Sequence, residues 1–293
     1  MDIDKLYNIF TTCGGKVATD SRKISGGELF FALKGENFDG NEYALKAFEA
    51  GAAYAVVDSN SPVSAAAADD PRLIPVPDAV LALRALARYH RDRFAIPVLG
   101  LTGTNGKTTT KELINAVLSA RFRTHATCGN LNNNIGVPLT ILGMPADTEI
   151  AVIEMGASHP GDIKELVDIA APDFGLITNV GKGHLLGFGS FEGVKATKGE
   201  MYDFIAENGG GAGTVFINQD NPLLVEMATS RGFVTMPEDC AFDRAAFLGR
   251  DCRKSASKKL LAVPYGLHFS GARVLESDAA HPYLRLLLAD GRE

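Results

Sequence analysis

Residues 98–110 read Val-Leu-Gly-Leu-Thr-Gly-Thr-Asn-Gly-Lys-Thr-Thr-Thr. An apolar run (Ile96, Val98, Leu99, Leu101) ends in a glycine-rich turn, and Leu113, Ala116, Val117 and Ala120 then recur at helical spacing. Strand, glycine loop, Lys-Thr and helix together form a phosphate cradle. The loop amides and the helix N-terminus present positive partial charge. Lys107 adds a full charge near the terminal phosphates, and the Thr108 hydroxyl can ligate Mg²⁺. The common nucleotide-loop pattern asks for glycine at position 101, where this chain has Leu101; Gly103 supplies the flexibility instead. A glycine-rich turn carrying a surface lysine is the alternative, and the agreement of spacing, strand and helix argues against it.

The bulk numbers describe an ordinary globular chain. Its 293 residues suffice for two domains and a large core. Hydrophobic residues make up 46% and charged residues 22%, with a net charge of −6, so nothing suggests a nucleic-acid surface. Phosphate binding is therefore expected to be local. Cys13, Cys128, Cys240 and Cys252 are scattered, which fits neither a disulfide scaffold nor a short metal-type pair, so reduced thiols are expected. Met1 to Lys5 does not read as a signal peptide, and no apolar run approaches about 18 residues. A cytoplasmic, monomeric enzyme that engages neither membrane nor nucleic acid is the expectation.

The pattern along the chain is α/β. Residues 1 to 77 read as a small α/β unit with strands at Leu29–Leu33, Tyr54–Val57 and Leu73–Val76. Asn41 is a candidate cap for a helix through Phe48, stopped by Gly51, and Asp78 for a helix carrying Leu81, Leu83, Leu86 and Ala87. A boundary at that helix gives domains 1–90 and 91–293. Beyond residue 95, Ile150–Ile153, Phe174–Ile177 and Thr214–Ile217 are apolar without alternation, as in a mostly parallel sheet covered by helices on both faces. Each run ends in polar residues: Glu154, then Thr178-Asn179, then Asn218 and Asp220. Open α/β sheets bind ligands at the carboxyl ends of their strands, and the glycine loop shares that edge. Ser64–Asp70 reads as a surface loop or short helix, and residues 231–262 carry no interpretable motif. Tyr283–Leu288 reads as a strand and Asp290-Gly291 as a hairpin turn. The sequence stops at Glu293 before a returning strand, as expected of a piece of a longer protein.

Several further groups suit chemistry, each with a plainer alternative. Glu154 at a strand end can hold Mg²⁺ against loop-bound phosphate, or sit in a salt bridge. His184, in Gly-Lys-Gly-His, can ligate a divalent ion or hydrogen-bond an acidic intermediate, or be structural. Lys198 by itself reads as a surface lysine on a helix. Asn130-Leu131-Asn132-Asn133-Asn134 offers amides for sugar, phosphate or peptide, or forms only a turn. Thr19-Asp20-Ser21-Arg22 can bind phosphate or uracil, or is a turn with an exposed arginine.

Taken in order, these segments resemble the Mur ligase family of peptidoglycan synthesis. The matching stretches are Thr-Asp-Ser-Arg at 19–22, Gly-Glu-Leu-Phe-Phe-Ala-Leu-Lys-Gly at 27–35 and Gly-Thr-Asn-Gly-Lys-Thr-Thr at 103–109. They continue with Asn130–Leu139, Glu-Met-Gly-Ala at 154–157, Thr178–Ser190, Lys198-Gly199-Glu200 and Asn218–Asn221. The resemblance covers residues 17–224 well. The glycine loop alone would also admit folate-polyglutamate and cyanophycin ligases; the Asn-rich loop and Glu-Met-Gly-Ala favour the branch that adds D-alanyl-D-alanine.

The resemblance implies ATP-driven amide formation. The γ-phosphate passes to a carboxylate of UDP-N-acetylmuramoyl-tripeptide, and the amine of D-Ala-D-Ala attacks the acyl phosphate. ATP would lie on Gly103, Thr104, Asn105, Gly106, Lys107, Thr108 and Thr109. Two Mg²⁺ ions are implied, with Thr108, Glu154 and His184 as ligands and a carbamylated Lys198 supporting the second. Lys107, Glu154, His184 and Lys198 would form the catalytic group. Thr19, Ser21, Arg22, Asn130, Asn132 and Asn133 would hold the UDP-sugar-peptide. The family's C-terminal domain, which binds the incoming amino acid or dipeptide, has no counterpart in these residues, so poor ligation by 1–293 alone is expected. A diaminopimelate- or lysine-adding ligase and a P-loop nucleotide-binding module or kinase are the alternatives.

Overall fold

A computed structural model of the chain describes residues 2–35, 38–208, 213–235, 260–265, 273–276 and 285–287. It divides into two compact units: 1–95 with 125–148 and 168–171, and 96–124 with 149–167 and 172–293.

In the first unit, β1 (Val17–Ala18), β2 (Leu29–Phe31), β3 (Tyr54–Asp58) and β4 (Leu73–Val76) form a parallel sheet in sequential order. Its helices are α1 (Ile3–Thr12), α2 (Ala44–Glu49), α3 (Ala79–Arg91) and α5 (Gly136–Leu142). Phe30, Ala55, Val57 and Leu73 pack beneath the small Ala44 and Ala47 of α2, whose size lets the helix lie close to the sheet. The Asp78 side chain accepts from Leu81 N and caps α3 as expected.

The expected Asn41 cap is corrected. Asp39 caps a 3₁₀ turn, Gly40–Tyr43, which leads into α2. Asn41 is instead buried, its amide donating to Asp39 Oδ1 at 2.7 Å and Asp58 Oδ2 at 3.0 Å. Residues 62–68 form a 3₁₀ helix.

Arg91 is fully buried at the end of α3. Its guanidinium donates to the carbonyls of Ala170 (2.9 Å), Ala171 (3.0 Å) and Phe94 (2.8 Å). A planar fork can serve three divergent acceptors where an ammonium cannot. Arg91→Ala leaves buried carbonyls without those donors and is expected to lower stability by about 3 kcal/mol, read by urea unfolding. A change under about 1 kcal/mol would show that water replaces the guanidinium.

The second unit holds a seven-stranded sheet in the order β10-β11-β9-β8-β5-β7-β6. The strands are β5 (Val98–Thr102), β6 (Thr124–Ala126, its last two residues counted with the first unit), β7 (Ile150–Glu154), β8 (Phe174–Ile177), β9 (Thr214–Asn218), β10 (Val234–Thr235) and β11 (Leu261–Tyr265). Pairings of β5 with β7 and β8, of β8 with β9, and of β11 with β9 and β10 are parallel. Every residue of β5, β7 and β8 is buried, which accounts for their unbroken apolar runs. The helices are α4 (Lys107–Ser119), α6 (Asp162–Ala170, its last residues counted with the first unit), α7 (Leu185–Phe188), α8 (Phe191–Asn208) and α9 (Pro222–Thr229). A separate antiparallel pair, β12 (Arg273–Glu276) with β13 (Arg285–Leu287), coincides with part of the expected strand 283–288; Asp290-Gly291 lies outside the described residues.

The apolar residues that recur at helical spacing along α4 face away from the sheet. Leu113 and Val117 are 64% and 74% exposed, and Ala116 and Ala120 are also exposed. The buried side carries Lys111, while Ile114 and Leu118 line a cavity of about 570 Å³ with Phe174, Leu176, Phe216 and Tyr265. Two apolar stripes share this helix, and sequence periodicity cannot say which one meets the sheet.

Candidate functional site: a glycine loop at the carboxyl edge of the sheet

Parallel pairing places the ends of β5, β7 and β8 side by side, so their following residues share one rim. Leu101 is in register with Glu154, and Thr102 with Ile177. Between Thr102 and α4 the chain turns through two left-handed glycines, Gly103 (φ 148°) and Gly106 (φ 74°). A Cβ on Gly103 would collide with Thr178 Oγ1, so this position requires glycine for close approach as well as for its backbone angle.

Gly106 is the N-cap of α4 and has no side chain to satisfy the first-turn amides. The amides of Lys107, Thr108 and Thr109 have no carbonyl one turn back within the helix, and an anion is the natural acceptor at such an end. Lys107 Nζ folds back onto the loop, donating to Gly103 O at 2.9 Å and Thr104 O at 3.2 Å. Burial pushes its pKa below the ordinary lysine value, opposed by the Glu154 charge.

Thr108 Oγ1 donates to Glu154 Oε1 at 3.2 Å, and Glu154 is fully buried at the end of β7. A hydroxyl and a carboxylate beside a phosphate loop are hard oxygen donors of the kind Mg²⁺ takes, with its remaining positions left to phosphate and water. Among the described residues no group of three or more His, Cys, Asp or Glu side chains is placed to hold a metal ion. The Thr108 hydroxyl and the Glu154 carboxylate fit a magnesium held jointly by protein and phosphate.

The structure does not join His184 to that pair. His184 is exposed, in a left-handed conformation (φ 52°), at the head of α7, and no hydrogen bond links it to Thr108, Glu154 or Lys198. Its flanks are nearby, however. The Gly181 N–H donates to Thr104 Oγ1 at 2.9 Å, and a Cβ on Gly187 would strike Ser158 O, on the turn that follows Glu154.

Lys198 departs from the surface position its helix suggested, being 2% exposed on α8. Burial, then the Lys107 charge, hold its pKa down at about 8, with Asp162 and Glu200 acting in the opposite direction. Glu200, two residues on, accepts from Gly161 N (3.0 Å) and Lys164 N (2.8 Å), while Asp162 Oδ2 accepts from Ser158 N and His159 N. Burial raises the Glu200 pKa, against the lowering effect of those two amides. The helix bearing Lys198 is thus tied to the turn following Glu154. Glu200 and Asp162 were not among the expected site residues, because their roles depend on contacts distant in sequence.

The other candidates lie on turns of the first unit. Asp20 grips Arg22 through Nε (2.9 Å) and Nη2 (2.8 Å), and this pairing lowers the Asp20 pKa to about 2. Arg22 is exposed, and Thr19 and Ser21 are half-buried. Asn133 Oδ1 accepts from Ile135 N and Gly136 N, building the start of α5, and Asn130 and Asn133 are exposed. Cys13 is buried and Cys128 exposed, both free thiols; Cys240 and Cys252 lie outside the described residues. No helix among the described residues is long and apolar enough to cross a membrane.

Comparison with known proteins agrees with this fold. The Mur ligase middle domain matches residues 101–255, and the Mur ligase family catalytic domain matches residues 16–91. The UDP-N-acetylmuramoyl-tripeptide–D-alanyl-D-alanine ligase of Bacillus subtilis (strain 168) is 45% identical over 208 residues, covering 71% of this chain and 44% of that protein. The Escherichia coli (strain K12) enzyme of the same name is 42% identical over 205 residues, covering 70% and 43%. Among solved structures, the MurF ligase from Thermotoga maritima in complex with ADP superposes with a TM-score of 0.71 at 27% identity, covering 94% of this chain and 56% of that one. A MurF structure from Acinetobacter baumannii gives 0.65 at 34% identity, covering 73% and 46%. The chain spans less than half the length of the curated relatives it matches.

Proposed function

The chain belongs to the Mur ligase family, and from that footing we propose that it serves ATP-dependent, ADP-forming addition of D-Ala-D-Ala to UDP-N-acetylmuramoyl-tripeptide in the cytoplasm. Residues 1–90 are proposed for the UDP-sugar-peptide, through Thr19, Ser21, Arg22, Asn130, Asn132 and Asn133, the last three supplied from beyond that range. Residues 91–293 are proposed for ATP. The observation carrying the reading is the glycine loop with Lys107 on it and the Thr108–Glu154 pair 3.2 Å apart beside it.

The chemistry requires an anionic carboxylate to approach an anionic phosphate, so charge must be neutralised where the two meet. The amides of residues 106–109 receive the phosphates. Lys107 leaves the loop carbonyls and turns its ammonium to the transferring group. Thr108 and Glu154 would hold magnesium, whose contribution there is to offset phosphate charge and orient the γ-phosphate. The substrate carboxylate takes the γ-phosphoryl group and ADP departs. The D-Ala-D-Ala ammonium first gives a proton to solvent and its neutral amine attacks the acyl carbon; the carbon–oxygen bond to phosphate breaks, phosphate leaves with the electron pair, and the nitrogen's surplus proton passes to that phosphate.

Lys198 is proposed to carry a carbamate that, with His184, supports a second magnesium. Its burial supports this: a pKa near 8 leaves about a tenth of the amine unprotonated at pH 7, and the free amine is the form that attacks CO₂. The new nitrogen–carbon bond forms as the amine releases a proton to solvent. A cation near Lys107 thereby becomes an anion.

Assayed on full-length protein, ADP release should require UDP-N-acetylmuramoyl-tripeptide and D-Ala-D-Ala together. Release with the tripeptide but insensitive to the dipeptide would favour a kinase, and release with a UDP-N-acetylmuramoyl-dipeptide and diaminopimelate or lysine would favour another branch of the family. No release with either set would contradict the proposal.

A further inference from the structure

A loop that binds phosphate must turn its amides toward the anion and its carbonyls away, because a carbonyl oxygen facing phosphate repels it. Four carbonyls lie between β5 and α4, and that of Gly106 accepts from Thr110 N at 2.9 Å in the first turn of the helix. Those of Gly103 and Thr104 accept from Lys107 Nζ, a partner that must move when the lysine engages phosphate. That of Asn105 is held differently. It accepts from Thr178 Oγ1 at 2.7 Å and from Asn179 Nδ2 at 2.9 Å, both on the turn leaving β8.

Asn179 does more than satisfy one carbonyl. Its Oδ1 accepts from Asn105 N at 3.0 Å, so the side-chain amide pairs with both backbone polar groups of Asn105, and its own carbonyl accepts from Thr104 N at 3.0 Å. The amides of Thr104 and Asn105 are therefore committed to Asn179, and phosphate is left to the amides of 106–109. The absence of a Cβ at Gly103 is what lets Thr178 approach.

We infer that Thr178 and Asn179 are positioning residues for the nucleotide: they template the phosphate loop from a neighbouring strand and keep its shape when Lys107 swings away. This rests on reading residues 103–109 as a phosphate loop. At this side-chain length only asparagine offers one donor and one acceptor side by side. Aspartate would keep the bond from Asn105 N, set an oxygen against Asn105 O, and place a negative charge beside the phosphates.

The test combines hydrogen exchange with magnesium ADP titration on the wild-type chain and on N179A, N179D, T178V and T178S. In the unliganded chain N179A should speed exchange at the Thr104 and Asn105 amides at least about tenfold while β5 amides keep their protection. Magnesium ADP affinity should fall about tenfold in N179A and further in N179D; T178V should lose a few-fold, and T178S should restore it. Unaltered exchange in N179A would overturn the template itself. Wild-type affinity in N179A with faster exchange would overturn its role in nucleotide binding. Failure of the wild-type chain to bind magnesium ADP, with exchange behaving as expected, would instead overturn the phosphate-loop reading on which that role rests.

Discussion

Lys107→Ala should weaken magnesium ATP binding by about 100-fold, the loss of about 2.7 kcal/mol expected when a charged contact to phosphate is removed. The lysine sits at the head of α4 with its ammonium on the carbonyls of Gly103 and Thr104, already partly desolvated, as its lowered pKa records. Backbone amides supply only partial charges and cannot follow the terminal phosphate as it is transferred. Alanine is a good helix former, so α4 itself should persist and circular dichroism should match the wild type. Lys107→Arg should rescue poorly, because a planar guanidinium does not fit where a compact ammonium reaches two carbonyls of one turn. Calorimetric affinities within about threefold of wild type in Lys107→Ala would remove this residue from the site.

Lys198 carries the second large effect. Chain incubated with ¹³C-bicarbonate at pH 8 should show one carbamate carbon signal that is lost in Lys198→Met, a substitution that keeps the length of this buried side chain. The signal should fade as pH drops well below 8, because the amine then holds its proton. In the ligation assay on full-length protein, Lys198→Ala should lose most of the ADP release, with partial recovery in acetate or formate, whose carboxylate replaces the missing anion. A carbamate signal that survives Lys198→Met, or full activity without added carboxylate, would make this lysine merely structural.

Much of the architecture was legible because parallel strands advertise themselves. Ile150–Ile153 and Phe174–Ile177 are apolar without alternation since both faces are covered, and each is a strand of the seven-stranded sheet. Leu73–Val76 and the Asp78 cap were equally local signals. The misreadings were of choices that only tertiary contact settles. Asn41 has the chemistry of a cap, but Asp58, on a strand distant in sequence, claims its side chain. Leu113 and Val117 form a credible core stripe, yet the helix turns its other side to the sheet.

The glycine loop could be read from 103–109 alone because its chemistry is contiguous. Burial of Lys198 could not, since nothing within α8 says that Phe188 and the Asp162 turn enclose it. Thr178 and Asn179 were visible only as polar residues ending a strand. Their grip on Asn105 follows from β8 pairing with β5, a contact about 75 residues apart in the chain that no window of sequence contains. The return of residues 125–148 to the first unit is hidden from a linear reading for the same reason.

The claim on which the rest depends is that the turn between Thr102 and Thr109 holds nucleotide phosphate with magnesium beside it. Titration of ADP into the folded chain, with and without magnesium, tests it most directly. Saturable one-to-one binding is expected, strengthened by magnesium, with that magnesium dependence lost in Glu154→Gln. A well-folded chain that takes up no ADP under either condition would contradict it.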